Sequence, residues 1–387
     1  MTESALLTIP MHGQRKLANE GYRTRDGHFI QWFARLLEGC TEVSVHSRPE
    51  PYATRLLSQY RYNNSQVSPN TRPVDPFTWR LPNIFRPKKW WVTSSQSYPT
   101  VNPEVRAAVV WNPLYALSPS FRDLKDRHIP VVFDLLDDWT VHHHFIDIRD
   151  KLEDAYRLLL EEAKAVTANA EGTVELARRF GRSDVILLPN GCDPDRFNET
   201  SLAKGATTVG YVGKIGVRLN YQLIREVVTA LPDVRFVFAG PLLDKSARTV
   251  LSSYANVEML GDVHYREVPA LLQQFDVGWV PHEVGEFEVG GDVIKTYEYR
   301  AAGLPVVSTP VTGAGARGLS SVVVAGDART HVSAIRRLTC DDRRALRVNE
   351  EIPLHHTWKW KSEEILRLID MDSVASLDNL DQEQGLP

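Results

Sequence analysis

Three observations predict an α/β chain built from two doubly wound domains. Short apolar, β-branched runs alternate with helical patterns for most of the length, the alternation pauses at one polar stretch and restarts, and 387 residues exceed what one ordinary core organises. Alternation implies parallel sheets, since parallel neighbours need a crossover and a helix usually supplies it. A hydrophobic content of 43% and a charged content of 24% are those of a soluble globular chain. No apolar run reaches the roughly 18–20 residues of a spanning helix, and the first residues lack a basic segment followed by a hydrophobic one. Both features point to a cytoplasmic protein. Cys40, Cys192 and Cys340 are odd in number, far apart and without metal-type spacing, which argues against a disulfide framework or a zinc site.

Taken in order, the first series of strands is expected at Thr41–Val45, Ala107–Trp111, Pro130–Leu135, Ala165–Ala168 and Val185–Leu188, with helices such as Phe29–Leu37 and Lys151–Glu162 between them. After PNGCDPDRF (Pro189–Phe197) comes a polar stretch, Asn198–Thr207, which reads as the interdomain linker. The second series follows at Thr208–Val212, Arg235–Ala239, Val257–Met259, Val277–Val280, Pro305–Ser308 and Ser321–Val324. Domains are therefore expected at 1–197 and 206–357. An amphipathic helix over 358–370 is expected to cross back onto the first domain, and the acidic residues 371–387 to form a flexible tail. Ligands in this architecture sit where strands end and helices begin, which places a substrate in a cleft faced by the two domains.

The region from Pro49 to Tyr98 has few strand or helix signals and much proline, as an inserted functional loop would. Between Arg48 and Arg106 stand nine Lys or Arg against three acids, interleaved with Tyr52, Tyr60, Tyr62, Trp79, Trp90, Trp91 and Tyr98. Cations beside aromatic rings suit an anionic membrane surface, a phosphorylated lipid or a nucleic acid. They equally suit a solvated loop region with anchoring rings.

The chemistry is most legible in the second series. VGGDVIKTYEYRAAGLPVVS (Val289–Ser308) joins a glycine turn at Gly290 and Gly291 to a helix start, where free amides and the helix dipole favour an anion. Lys295 and Glu298 lie three apart on one helix face, one suited to phosphate and the other to sugar hydroxyls. GYVGKIGVRLNYQLI places Gly213 after a strand with Lys214 and Arg218 just beyond, and Gly240 and Gly261 end the next two strands. Together these glycines allow close backbone approach to a ligand, and the three cations can offset a diphosphate without a metal.

In the first series, HGQRKLANEGYRTRDGHFIQWFARL (His12–Leu36) puts Arg25, Asp26 and His28 at the start of a strong amphipathic helix. Asp26 and His28 are candidate acceptor-side catalytic groups, and Asp26 alternatively caps that helix. VVFDLLDDWTVHHH (Val131–His144) ends an apolar strand in Asp134, Asp137 and Asp138. Asp138 or Asp137 is the candidate general base, since a strand end is where a base can meet an acceptor hydroxyl, and capping the following segment is the competing role. Consecutive residues do not converge on one ion, so His142, His143 and His144 are not read as a metal site.

Three segments resemble a known family in order and spacing: PNGCDPDRF, NVEMLGDVHYREVPALLQQFDVGWVP (Asn256–Pro281) and KTYEYRAAGLPVV (Lys295–Val307). The chain resembles the GT-B glycosyltransferases of the family 4 type (glycosyl transferases group 1), and within them the subgroup that makes bacterial surface polysaccharides. The resemblance covers nearly all of the second domain plus the PNG segment. It implies a GT-B fold and a nucleotide-diphosphate sugar held by the second domain, with Glu298 on the ribose and Lys214 and Arg218 on the diphosphate. Gly213, Gly240, Gly261, Val263, Gly290, Gly291, Asp292, Val293 and Lys295 are the further donor contacts so implied. Many members carry a glutamate seven residues before the one matching Glu298, and here that position is Gly291.

The resulting expectation is sugar transfer to a hydroxyl of a glycan or lipid-linked acceptor, with no cofactor or metal and with possible peripheral attachment at the inner face of a membrane. A glycosyltransferase acting on DNA bases and a non-catalytic sugar-nucleotide-binding scaffold are the alternatives, and a sugar-nucleotide epimerase is a less favoured one.

Overall fold

The computed structural model describes residues 5–54, 66–285, 292–314, 317, 321–339 and 345–372. Gly290 and Gly291, Cys340, residues 55–65 of the basic aromatic stretch and residues 373–387 of the expected tail lie outside the described residues. The chain divides into two compact units, Met1–Leu188 with Trp358–Pro387, and Pro189–Thr357. Residues 189–197, expected in the first domain, thus group with the second.

The first unit holds a seven-stranded parallel sheet. In chain order its strands are β1 (Leu6–Ile9), β2 (Val43–His46), β4 (Thr71–Val74), β6 (Ala107–Val110), β7 (Val131–Leu135), β8 (Ala165–Ala168) and β9 (Val185–Leu187). The short strands β3 (Glu50–Pro51) and β5 (Phe77–Thr78) pair separately. The spatial order is β4-β2-β1-β6-β7-β8-β9. β1 and β6 lie at the centre and every residue in them is buried, as an apolar run covered on both faces must be. β4 carries Pro73, which an edge strand tolerates because its outer side makes no ladder bonds. At the opposite edge Ile186 and Leu187 of β9 are exposed.

After the short helix α1 (Gln14–Glu20), the amphipathic pattern at Arg25–Leu36 forms helix α2, which turns Phe29, Ile30 and Phe33 inward. The C-terminal helix Trp358–Leu368 packs on it: Trp358 stacks on His28 at 4.8 Å and meets Phe29 edge-on at 5.5 Å. Residues beyond that helix remain packed, for Met371, expected in the tail, is buried.

The second unit holds a six-stranded parallel sheet of β10 (Thr208–Val212), β11 (Arg235–Ala239), β12 (Val257–Gly261), β13 (Val277–Val280), β14 (Val306–Ser308) and β15 (Val322–Val324), in spatial order β12-β11-β10-β13-β14-β15. Two strand glycines set helix positions. A Cβ on Gly210 would lie 2.0 Å from the Phe275 ring, and one on Gly278 would lie 2.4 Å from the ring of Tyr299. Tyr299 belongs to the helix Ile294–Ala301, and its hydroxyl accepts the amide of Val212 at 2.7 Å. That bond ties the helix to the carboxyl end of the central strand β10. No helix among the described residues is long and apolar enough to cross a membrane.

Candidate active site

The carboxyl ends of β10, β11 and β12 meet through backbone alone. Gly213 N–H donates to Ala239 at 2.8 Å, and Gly240 N–H donates to Gly261 at 2.6 Å. A Cβ on Gly240 would stand 2.0 Å from the Gly213 carbonyl oxygen, so no larger residue fits without moving the chain. Gly213 in turn makes room for a side chain: a Cβ there would fall 2.9 Å from Cε of Lys295. The glycine triplet therefore clears a path along which Lys295, from the first turn of its helix, reaches the end of β10.

Lys295 lies with its ammonium 5.0 Å from the centre of the Tyr211 ring. Removal from water, then the nearby charges of Arg218 and Lys214, lower its pKa to about 8, although Glu298 pulls it back up. Glu298, one turn further on and buried, is pushed up to about 7, first by burial. The nearby Tyr265 hydroxyl and the charges of Lys295 and Arg196 oppose that rise, while Asp193 adds to it. His282 lies 3.3 Å from the Tyr211 hydroxyl through Nε2 and is held neutral by burial, with Lys295 and Arg218 contributing. Lys214 and Arg218 stand exposed beside the glycine turn. Val263 follows β12 and Val293 immediately precedes the helix of Lys295 and Glu298; both are partly buried.

Five residues of this group were not among the expected site residues. Tyr211 lies inside β10, Tyr265 and His282 follow β12 and β13, and Asp193 and Arg196 come from the PNG segment. Arg196 bonds Asp193 at 2.8 Å and covers the Tyr265 ring at 5.6 Å. Only the DPDRF spelling in the sequence pointed to the last pair.

Asp292, expected to face the donor, has its carboxylate taken up within the protein. It accepts the Asn190 amide and the Tyr297 hydroxyl at 3.0 Å, with Arg317 3.7 Å away. The Asn190 side-chain amide also donates to the Asp292 carbonyl at 2.8 Å, so the PNG turn is fastened to the start of the Lys295 helix.

The first-unit candidates are structurally engaged as well. Asp134 is wholly buried and receives Arg25 through both oxygens at 2.8 and 2.9 Å, Trp111 Nε1 at 2.6 Å and Thr167 at 2.6 Å. Asp138, favoured as a base, instead closes its own turn by accepting the Thr140 amide at 2.9 Å, and pairs with Arg179 through its other oxygen. Asp137 offers its backbone carbonyl to the Tyr156 hydroxyl at 2.8 Å. His28 is buried against Trp358 in the helix interface rather than at a ligand-facing surface. Asp26 sits one residue inside α2 and is not its cap, which is Thr24. Its buried carboxylate accepts the amides of Met11 and Gly27, each at 3.0 Å, and the Thr24 hydroxyl, and burial raises its pKa.

Residues 206–341 match the family model described as glycosyl transferases group 1. A curated relative, a putative teichuronic acid biosynthesis glycosyltransferase of Bacillus subtilis, is 26% identical over 175 residues, covering 42% of this chain and 44% of that protein. The match thus spans less than half the length of that relative. Among solved structures, sucrose-phosphate synthase from Thermosynechococcus elongatus superimposes with a TM-score of 0.64 at 15% identity, covering 98% of each chain. Anabaena HepE, solved with UDP and glucose, gives 0.57 at 14% identity over the whole of both chains. A UDP-forming trehalose-phosphate synthase from Burkholderia xenovorans gives 0.56 at 14% identity, covering 99% of each. These likenesses are of fold, and the fold is GT-B.

Proposed function

We propose that this chain, whose residues 206–341 match the model of the group 1 glycosyl transferases, moves a sugar from a nucleotide-diphosphate donor to a hydroxyl of a glycan or lipid-linked acceptor. The carrying observation is the placement of Lys295 and Glu298 on one helix face against the glycine-lined ends of β10, β11 and β12. Glu298 accepts hydrogen bonds from ribose hydroxyls. Lys295, Lys214 and Arg218 take the charge that grows on the departing diphosphate, an interaction strongest when the leaving bond is broken. Three cations suffice for that charge, so the reaction is read as metal-independent. With Asp134 and Asp138 engaged in structural bonds, this reading leans on leaving-group stabilisation more than on a general base.

HepE, solved with UDP and glucose, and the teichuronic acid relative favour a nucleotide sugar and a surface-polysaccharide acceptor over a base in DNA or a silent scaffold. Lys295→Ala should lower kcat/KM by roughly a hundredfold or more with the fold intact. Steady-state kinetics on a folded variant with unchanged turnover would remove Lys295 from the reaction.

A peripheral membrane location is part of the same reading. Trp79, Leu81, Ile84 and Phe85 are each more than 70% exposed and are interleaved with Arg80 and Arg86. Apolar side chains ringed by cations suit an anionic bilayer surface. Co-sedimentation with vesicles containing anionic phospholipid should exceed that with neutral vesicles and should fall on Trp79→Ser with Phe85→Ser. Equal recovery with both vesicle types would count against attachment.

A further inference from the structure

The first unit carries a cluster of cations and rings that donor binding leaves unused. Arg48 stands two residues beyond β2, with its guanidinium 3.7 Å from the centre of the Trp91 ring. Trp91 meets Trp139 at 5.3 Å and Phe145 at 5.7 Å, both edge-on, and Trp139 stacks on Phe145 at 4.8 Å. Lys88 joins from another direction, its ammonium 4.8 Å from the Phe145 ring and 5.9 Å from Trp91. Trp139 and Phe145 follow β7, so the cluster gathers at the carboxyl side of the sheet, from the ends of β2 and β7 and the segment at Lys88. In doubly wound sheets that side is where ligands bind.

The charges in this cluster do not balance. Nε and Nη1 of Arg48 are out of contact with solvent and have no hydrogen-bond partner. Glu50 and the Tyr98 phenol act on Arg48 only through space, and burial outweighs both. Arg48 in turn disfavours the charge on Lys88. Ring faces compensate a cation in part, but they leave the guanidinium donors unused, and a buried donor without an acceptor costs free energy. An oxyanion supplies what is missing: negative charge shared by two cations and acceptors for a planar fork.

We propose that Arg48 and Lys88 form an oxyanion subsite that holds a phosphate or carboxylate group of the acceptor. Only the word acceptor rests on the transferase reading; the anion site stands on its own geometry. Inorganic phosphate and glucuronate represent the two sources of the oxyanion, and glucose serves as the neutral control.

Isothermal titration of the full chain with each probe is the test, on wild type, Arg48→Met, Lys88→Met and Lys295→Ala. Methionine keeps an apolar stem against the rings and removes the charge. Wild type should bind one or both anions and not glucose, and Lys295→Ala should retain that binding. Arg48→Met and Lys88→Met should each weaken it by about tenfold or more, as loss of a charge-assisted contact does. The preferred probe says whether the group is phosphate or carboxylate. Anion binding lost in Lys295→Ala and kept in Arg48→Met, or no anion binding by wild type at tens of millimolar, overturns the subsite. Thermal melting without anion supplies a second reading. An unmatched buried charge predicts that Arg48→Met melts at or above the wild-type temperature, and a clear drop would make Arg48 a structural residue and overturn the proposal. Failure to bind any nucleotide sugar would instead overturn the transferase reading and leave the titrations intact.

Discussion

Lys295 and Glu298 sit on one helix face, and their environments drive their pKa values toward each other. Lys295 holds its proton below about 8 and Glu298 loses its own above about 7, so the charged pair exists together only in a narrow window. If donor binding needs both charges, kcat/KM should follow a bell with limbs near those two values. Glu298→Gln should flatten the acid limb and, because Glu298 holds the Lys295 pKa up, move the alkaline limb to lower pH; a pH profile in which the acid limb survives would assign it to another group. Stability runs on the same groups. Between about 4.5 and about 7 the folded chain keeps a proton on Glu298 that the unfolded chain releases, so this group's contribution to stability falls as pH rises through that range.

At the scale of elements, the glycine ends of β10, β11 and β12 are the parts least able to change. Gly240→Ala would drive a methyl to within 2.0 Å of the Gly213 carbonyl oxygen at a backbone angle unusual for a side chain. A loss of about 1–3 kcal/mol is expected, together with weaker donor binding; denaturant melts and nucleotide-sugar titration read the two separately. Ala at Gly181, where a Cβ meets nothing within 4 Å, makes the control for angle without crowding. Most of the sheet strands were legible in the sequence as short apolar, β-branched runs, and those at the sheet centres are buried on both faces. β1 was not expected, since LLTI is four residues near the chain start with no helical pattern before it. β4 was hidden by Pro73 in a stretch that reads as loop, a residue only an edge can carry. Site residues showed the same divide. Lys295, Glu298, Lys214 and Arg218 advertise themselves by spacing along one helix or after one turn. Tyr211 meets His282, and Tyr265 comes near Glu298, only when separate strands align, and no local pattern encodes that. Asp138 shows why sequence leaves such a role open: a carboxylate that closes a turn and one that takes a proton look alike until the partners are known, and here the partners are Thr140 and Arg179.

For the whole molecule, the two units differ in how the chain builds them. The second is one continuous stretch, Pro189–Thr357, whereas the first is made of two stretches from opposite ends of the sequence. Its buried Arg25–Asp134 pair and the α2 face with Phe29 are roofed by Trp358, whose ring lies 5.9 Å from the Arg25 guanidinium. A chain ending at Thr357 should therefore lose amide protection in β1 and α2 while β10 and β13 keep theirs, which hydrogen exchange resolves unit by unit. Equal protection in both units would mean that the C-terminal helix adds little.

The stacking of Trp358 on His28 also sets an order of events during synthesis. A ribosome works from the amino end at about 5–20 residues per second, so residues 189–357 emerge as one uninterrupted stretch while the first unit still lacks its last helix. For that interval of many seconds the apolar face of α2 has no Trp358 to cover it. The part of the chain made first is thus the part finished last, and it is the nascent first unit that a chaperone would find open.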